Sequence, residues 1–221
     1  MTRAPTANAR PRKGRPTREE AQARQDALLE CAIDHFLERG YERATLEAIA
    51  AEVSMTKRTV YAKYDDKAAL FVAAVTRAIE KFAIDEAAIE ATRGNDLAET
   101  LRNIAMLRID LVATREGLRL QRIIQTESYR FPAIFTDYYR LATRPTVRFL
   151  ERVLREECET GTLALPDAAQ AASVFMSMAV SGPVRFITSG NPLSRAEIDD
   201  HVAFSVRLFL DGARTRSEGE T

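Results

Sequence analysis

Cationic, hydroxyl and aromatic side chains cluster between positions 56 and 61. Lys57 and Arg58 lie four and three residues before Tyr61, so a helix there places all three on one face. Thr56 stands where it would cap that helix, and the start of a helix favours bound phosphate. Lysine and arginine bind phosphate oxygens, and arginine also binds base edges in the major groove of DNA. The pattern predicts a groove-reading helix; the alternative is a solvated basic face on a small helical subdomain.

Two short helices must position this face. Thr45 precedes the first and Thr56 the second, with a short link between them, which is the arrangement of a helix-turn-helix. The side chains predicted to pack behind the two helices are apolar or aromatic: Leu46, Ile49, Ala50, Val53, Val60 and Tyr64.

Residues 24–71 resemble the DNA-binding domain of the TetR/AcrR family of transcriptional regulators. The resemblance is carried by GYERATLEAIA at positions 40–50 and TKRTVYAKYDDKAAL at positions 56–70. It implies phosphate contacts, groove contacts and sugar–phosphate packing by a defined set of side chains: phosphate at Thr45, Thr56 and Lys67, the major groove at Lys57, Arg58 and Thr59, and sugar–phosphate packing at Tyr61 and Tyr64.

Two positions depart from the family pattern. Ser54 stands where the family usually has glycine in the turn, and Val53 stands where alanine is usual. Serine is expected to cap or strain this turn and so to tilt the recognition helix slightly. Neither change removes a group predicted to face DNA.

The first 18 residues contain six basic residues and no acidic one. Since the whole chain has 32 basic and 32 acidic residues, positions 19–221 carry a net charge of −6. Arg12, Lys13 and Arg15 lie in PRKGRP, which resembles the AT-hook core with Lys13 in place of its first arginine. Such an arm binds the minor groove through its glycine and flanking cations; the alternative is a disordered basic tail that only adds attraction to phosphate.

The sequence predicts an all-α protein. No run alternates with period two, whereas helical spacing recurs in about nine segments. We expect a flexible basic arm at 1–16, the helix-turn-helix domain at 17–66, a ligand-binding and dimerisation domain at 67–214 and a flexible tail at 215–221. Gly40 is expected to end the first helix, and Pro145 to kink one helix spanning 132–160. The second domain resembles the AefR-type C-terminal domain.

By that resemblance the larger domain holds a small-molecule effector, in a pocket among the helices of residues 96–185. The predicted wall residues are mostly apolar or aromatic: Ile104, Leu107, Leu111, Ile124, Phe135, Tyr138, Tyr139, Met176 and Phe186. They indicate an apolar or aromatic ligand whose anionic end is held by Arg108 or Arg185; the alternative is that they are plain core. The expected function is a ligand-responsive repressor of a palindromic operator in double-stranded DNA.

A homodimer is also expected. The helix from Asp167 to about Thr188 is apolar nearly all round, and small residues on it allow close packing against a second copy. The last helix would complete the interface with Val202, Phe204, Val206, Leu208 and Phe209.

The sequence gives little support for an enzyme or for a membrane protein. GxGxxG, P-loop, GxSxG and HExxH motifs do not occur, and the chain has two histidines, so neither an enzyme nor a cofactor is predicted. Glu197, Asp200 and His201 share a helical face, but a solvated face is expected there rather than a metal site.

The longest uncharged run, residues 168–184, is short for a membrane span and predicts a buried helix. Two distant cysteines fit reduced thiols in a cytoplasmic protein.

The alternative to a transcriptional repressor is a helical-bundle enzyme or lipid carrier with an incidental basic face.

Overall fold

A computed structural model of the chain describes residues 17–213, and every regular element in that range is helical. The all-α prediction is confirmed. The helices are α1 (Arg18–Arg43), α2 (Leu46–Glu52), α3 (Lys57–Tyr61), α4 (Lys67–Phe82), α5 (Glu86–Glu90), α6 (Leu97–Ala113), α7 (Arg115–Glu127), α8 (Pro132–Tyr138), α9 (Arg144–Glu159), α10 (Ala168–Thr188) and α11 (Arg195–Ala213), with a π-helical turn at Tyr139–Thr143. The described residues thus hold eleven α-helices, more than the predicted nine, because short helices such as α5 carry too little periodicity to be recognised.

Two compact units divide the described residues between Phe71 and Val72. The predicted arm and tail lie outside these residues, and the predicted domain bounds remain predictions. The first unit packs α1–α3 and the start of α4 around an aromatic group in which Phe36 and Tyr41 both meet Phe71, at ring-centroid distances of 4.8 and 5.0 Å. Gly40 interrupts α1 with a φ of 77°, a conformation that glycine adopts without steric cost, and one more helical turn follows it.

The second unit has its core between α6, α9, α10 and α11. Leu101, Ile109, Leu150, Phe175 and Val202 are fully buried there. Such burial of large apolar side chains is the main source of stability for a helical layer.

The single helix predicted over 132–160 is instead two α-helices joined by the π-helical turn. Pro145 has no N–H, and its ring clashes with the carbonyl four residues earlier, so an unbroken α-helix is disfavoured there. The π-helical turn accommodates the proline through a hydrogen bond from the Arg144 amide to the Tyr139 carbonyl, five residues earlier in the chain. The interruption predicted at Pro145 is therefore present, in a different form.

Within residues 17–213, α10 is the one helix whose length and apolarity would let it cross a membrane. However, it buries Ala172, Phe175 and Ala179 in the core of the second unit. One face of α10 thus packs in the core, with 33% of its most apolar stretch buried.

Candidate nucleic-acid interface and effector cavity

Threonine caps start both short helices of the first unit, as predicted. Thr45 Oγ1 accepts from the Ala48 amide at 3.2 Å, and Thr56 Oγ1 accepts from the Thr59 amide at 3.1 Å. Each bond satisfies an N–H group that the first turn of a helix leaves without an internal acceptor. The caps therefore fix where α2 and α3 begin.

Apolar packing behind the caps fixes the orientation of α3. Leu46, Ile49 and Ala50 of α2 and Val60 of α3 are buried. The turn between the helices passes through Ser54, whose φ of 53° lies in the left-handed region. The position that the resemblance assigns to glycine is thus one where glycine would be relaxed and serine is strained.

The face predicted to meet DNA is exposed, but its two cations differ. Lys57 forms an ion pair with Glu47 of α2 and lies over the Tyr61 ring, with Nζ 5.4 Å from the centroid. That hydrogen bond lowers the pKa of Glu47 and raises the pKa of Lys57. Arg58 makes no ion pair within residues 17–213. Arg58 is therefore the cation of α3 that no carboxylate of the described residues pairs with.

Lys67, which is half-buried, and Tyr64, which is buried, are both bonded within the first unit. Lys67 Nζ donates to the backbone carbonyls of Tyr41, Glu42 and Ala44 at 2.9, 3.1 and 3.3 Å, which uses all three of its N–H groups. The Tyr64 side chain is buried, and its hydroxyl accepts from Gln25 Nε2 at 3.3 Å. This geometry favours positioning roles for both residues over the DNA contacts implied by the resemblance.

Thr59 and Tyr61 are exposed on α3, and Thr59 Oγ1 lies 2.8 Å from Thr56 Oγ1. Arg12, Lys13 and Arg15 of the arm fall outside the described residues. Their predicted role in the minor groove therefore stays a prediction.

Cys31, His35 and Glu52 converge where α1 meets the end of α2. Their ligand atoms lie within 4.8 Å of one another, and His35 Nε2 is 2.7 Å from Glu52 Oε2. Burial raises the pKa of the Cys31 thiol to about 11, and Cys31 Sγ donates to the Ile49 carbonyl oxygen at 3.8 Å. The group is best understood as a buried histidine that ties α1 to α2.

Glu197 and His201, the other set considered for a metal, have separate partners. Glu197 accepts from the amide and hydroxyl of Ser194 at the start of α11. His201 Nε2 lies 3.0 Å from the Met178 carbonyl oxygen. Both residues therefore stabilise helix ends and helix packing.

A cavity of about 460 Å³ opens in the second unit among α6, α7, α8, α9 and α10. Five of the predicted wall residues line it: Arg108, Tyr138, Tyr139, Met176 and Arg185. The others lie elsewhere. Ile104 and Ile124 are buried in packing, Leu107 and Leu111 are half-buried, and Phe135 and Phe186 are exposed.

Sequence reasoning missed most of the polar wall. Ser173, Ser177 and Ser181 face the cavity from α10, together with Gln121 and Gln125 of α7. The serines recur every four residues along one helix, a spacing that places them on one face and could have identified the wall. Apolar periodicity alone selects core residues as readily as cavity residues.

Arg108 is the most buried polar group of this wall, with 4% of its surface exposed. Its Nη1 donates to the Ala142 carbonyl at 2.9 Å, and its Nη2 donates to the Tyr138 hydroxyl at 3.3 Å. Gln121 Nε2 donates to the same hydroxyl. Three helices and the π-helical turn thereby meet at one polar cluster.

Comparisons with known proteins agree with this architecture. The family model described as AefR-like transcriptional repressor, C-terminal domain, matches residues 99–212, and that of bacterial regulatory proteins, tetR family, matches residues 28–74. The HTH-type transcriptional repressor BepR of Brucella suis biovar 1 (strain 1330) is 34% identical over 79 residues, which are 36% of this chain and 37% of BepR.

Solved structures resemble nearly the whole chain. A TetR-family transcriptional regulator from Mesorhizobium loti has a TM-score of 0.72 at 23% identity, covering 90% of this chain and 100% of its own. The flavonoid-responsive regulator FrrA has a TM-score of 0.70 at 25% identity, covering 89% of this chain and 100% of its own. The match to the Mesorhizobium protein shows a shared fold.

Proposed function

The chain belongs to the TetR family of bacterial transcriptional regulators, and from this premise we propose that it is a repressor released from its operator by a small molecule. Regulators of this family bind operator DNA, so DNA is its partner. The observation that carries the proposal furthest is Arg58, which is exposed and without an ion pair among the described residues, on a helix whose start is fixed by Thr56. Arginine in that position has the donors to bind a guanine edge.

The repressor acts as a homodimer on a two-fold operator in this proposal. Val174 on α10 and Phe204 and Leu208 on α11 keep 53–57% of their surface exposed, and Val174 and Leu208 border one shallow groove. A second copy would bury these side chains across a two-fold axis. Val202 and Val206, which were also predicted for the interface, are instead buried within the protomer. Phe204→Glu should therefore lower the solution mass from dimer to monomer at micromolar concentration. Tyr129→Glu, which changes a fully exposed side chain on α7's C-terminal loop, should leave the mass unchanged.

The effector binds in the cavity of the second unit and lowers operator affinity. The size and mixed aromatic and polar wall of the cavity support a small hydrophobic or aromatic molecule. FrrA, by its name, responds to flavonoids, which makes flavonoids a reasonable first panel. We place the protein in the cytoplasm, where bacterial DNA lies.

A titration of operator DNA tests the DNA-binding part. Fluorescence anisotropy with DNA from upstream of the protein's own gene should show tight binding that weakens with salt. Arg58→Ala should cost about 1–3 kcal/mol and blur base preference. Arg115→Ala, which removes an exposed arginine of the second unit, is the matched control and should change neither. Binding of cavity ligands without any DNA binding would instead favour the lipid-carrier alternative.

A further inference from the structure

Arg108 is a buried cation without a counterion. Within residues 17–213 it makes no ion pair, and its two hydrogen-bond acceptors, the Ala142 carbonyl and the Tyr138 hydroxyl, are both neutral. A charge removed from water is strongly destabilising unless it is paired, and a guanidinium group does not escape by losing its proton. An anion that completes this site would remove that penalty.

The lining of the cavity beside Arg108 carries a net positive charge. Its lining contains Arg108 and Arg185 and, in the part of the chain that the structure describes, no aspartate or glutamate. An occupant therefore meets two positive charges and no negative one. Arg185 is exposed, so water screens it, whereas Arg108 acts in a drier environment where charge pairing is stronger.

Hydrogen-bond donors also remain unused at this point. Tyr138 Oη accepts from both Arg108 Nη2 and Gln121 Nε2, so its own hydrogen is available for a further acceptor. Arg108 has five N–H groups, of which the described residues accept two. A carboxylate, sulfonate or phenolate oxygen is the acceptor that fits such a set of donors.

The remaining wall residues indicate what kind of ligand surface the cavity would hold apart from the acidic group. Tyr139, Met176, Val147 and Val180 supply aromatic and aliphatic surface around the polar cluster. An aromatic body covers such surface, and methionine makes favourable contacts with aromatic rings. The ligand that the wall matches therefore joins a ring system to a single acidic group.

We propose that the effector is an aromatic organic anion whose acidic group binds Arg108 and the Tyr138 hydroxyl. This inference rests on the proposed effector function and specifies its chemical class. Arg108 supplies the charge, Gln121 orients the tyrosine, and Arg185 adds a weaker, solvent-screened attraction at the same cavity.

A matched pair of fluorescent probes tests the charge. Anilinonaphthalene sulfonate and phenylnaphthylamine share one aromatic skeleton and differ in the sulfonate. Arg108→Met should weaken binding of the sulfonate by about tenfold or more and change binding of the neutral probe by less than about twofold. Arg108→Lys should fall between wild type and Arg108→Met for the sulfonate. Arg185→Met is the matched control and should have a smaller effect than Arg108→Met.

The site and the fold need their own controls. Ser177→Phe fills the cavity from α10 and should weaken both probes, whereas sulfonate binding that survives it is outside this cavity and overturns the proposal. Equal losses of both probes in Arg108→Met, or none, would also overturn it. If Arg108→Met does not fold, displacement of phenylnaphthylamine from the wild-type protein by naphthoate and by naphthamide decides the matter. Naphthoate should compete more strongly, and equal competition refutes the role of charge.

Operator release is measured separately from probe binding. One outcome is that the sulfonate binds at Arg108 while neither it nor any other aromatic acid tested changes operator affinity. In that case the effector function fails and the assignment of Arg108 stands. If neutral aromatic amides release the operator as well as the matching aromatic acids do, the effector function stands and the charge assignment fails.

Discussion

Lys57 and Arg58 are adjacent residues of equal charge, yet the first unit uses them differently. Glu47 holds Lys57 in an ion pair, while Arg58 has none among residues 17–213. Glu47 also adds a negative charge close to the surface proposed to approach phosphate. Glu47→Gln should therefore tighten operator binding, by about two- to fivefold, because it removes that repulsion and frees Lys57.

The gain can be traced to Lys57 by a double-mutant cycle. In anisotropy titrations at one salt concentration, Glu47→Gln should tighten binding less when Lys57 is already alanine. The steeper salt dependence expected for Glu47→Gln is a second readout, since one more cation becomes available to phosphate. An unchanged or weaker affinity in Glu47→Gln would mean that the pair orients Lys57 for DNA instead of withholding it.

Ser54 is the described non-glycine residue that adopts a positive φ, 53°. Ser54→Gly relieves the left-handed strain but adds backbone freedom to the unfolded chain, and the net expectation is a stabilisation of about 0.5–1 kcal/mol. Urea unfolding followed by circular dichroism measures it. Ser54→Ala keeps the strain and serves as the control. If alanine stabilises as much as glycine, strain at this turn is not the cause.

At the scale of elements, local signals in the sequence predicted the helix starts well. Thr45 and Thr56 both cap the helices they were expected to cap, because a cap depends on residues only three positions away. The acceptors of Lys67 could not be predicted in this way, since they lie at the C-terminal end of α1, 23–26 residues earlier in the chain. The π-helical turn depends similarly on how α8 and α9 pack around Pro145.

The corner between α6 and α7 depends on Gly117. A Cβ at that position would overlap the Leu111 carbonyl oxygen and lie 2.7 Å from the Val112 carbonyl oxygen, and backbone atoms do not move aside cheaply. Gly117→Ala should destabilise the second unit by about 1–3 kcal/mol, as overpacking does. Thermal unfolding measures the loss.

A second glycine provides the control for this corner. Gly212 lies in α11, and a Cβ there meets nothing within 4 Å. In the Phe204→Glu background, Gly212→Ala should stabilise the protein by about 0.5–1 kcal/mol through helix propensity. That background is used because Gly212 lines the groove proposed to meet a second copy. Losses of similar size at both positions would show that glycine flexibility, rather than the close approach at Gly117, determines the result.

At the scale of the whole chain, the composition of the cavity was harder to predict than its existence. Arg108 was predicted to hold the anionic end of a ligand and Tyr138 to form part of the aromatic wall, and both line the cavity. Ile104, for which plain core was the alternative, is fully buried and does not line the cavity. Helical periodicity shows which side of a helix faces inward, but packing of neighbouring helices decides whether that side meets a side chain or a space.

A hydrogen bond connects the wall of the cavity with α4. Thr76 Oγ1 on α4 donates to Asp137 Oδ2 at 2.8 Å, and Asp137 precedes Tyr138 on α8. The helix α4 continues without a break from Lys67 to Phe82, so it belongs to both compact units. Asp137, the covalent neighbour of Tyr138, is therefore hydrogen bonded to the helix that leads into the DNA-binding unit. A ligand that shifts Tyr138 would act on this hydrogen bond.

Thr76→Val removes this bond at nearly constant side-chain volume. Effector binding, measured with the cavity probes, should stay within about twofold, while the factor by which ligand lowers operator affinity should fall by about threefold or more. Thr136→Val is the control, because the Thr136 hydroxyl donates within α8 to the Pro132 carbonyl. The measurement is operator affinity with and without saturating ligand for each variant. An unchanged ratio in Thr76→Val would place the coupling elsewhere, since a contact that carries allosteric free energy must alter the ratio when it is removed.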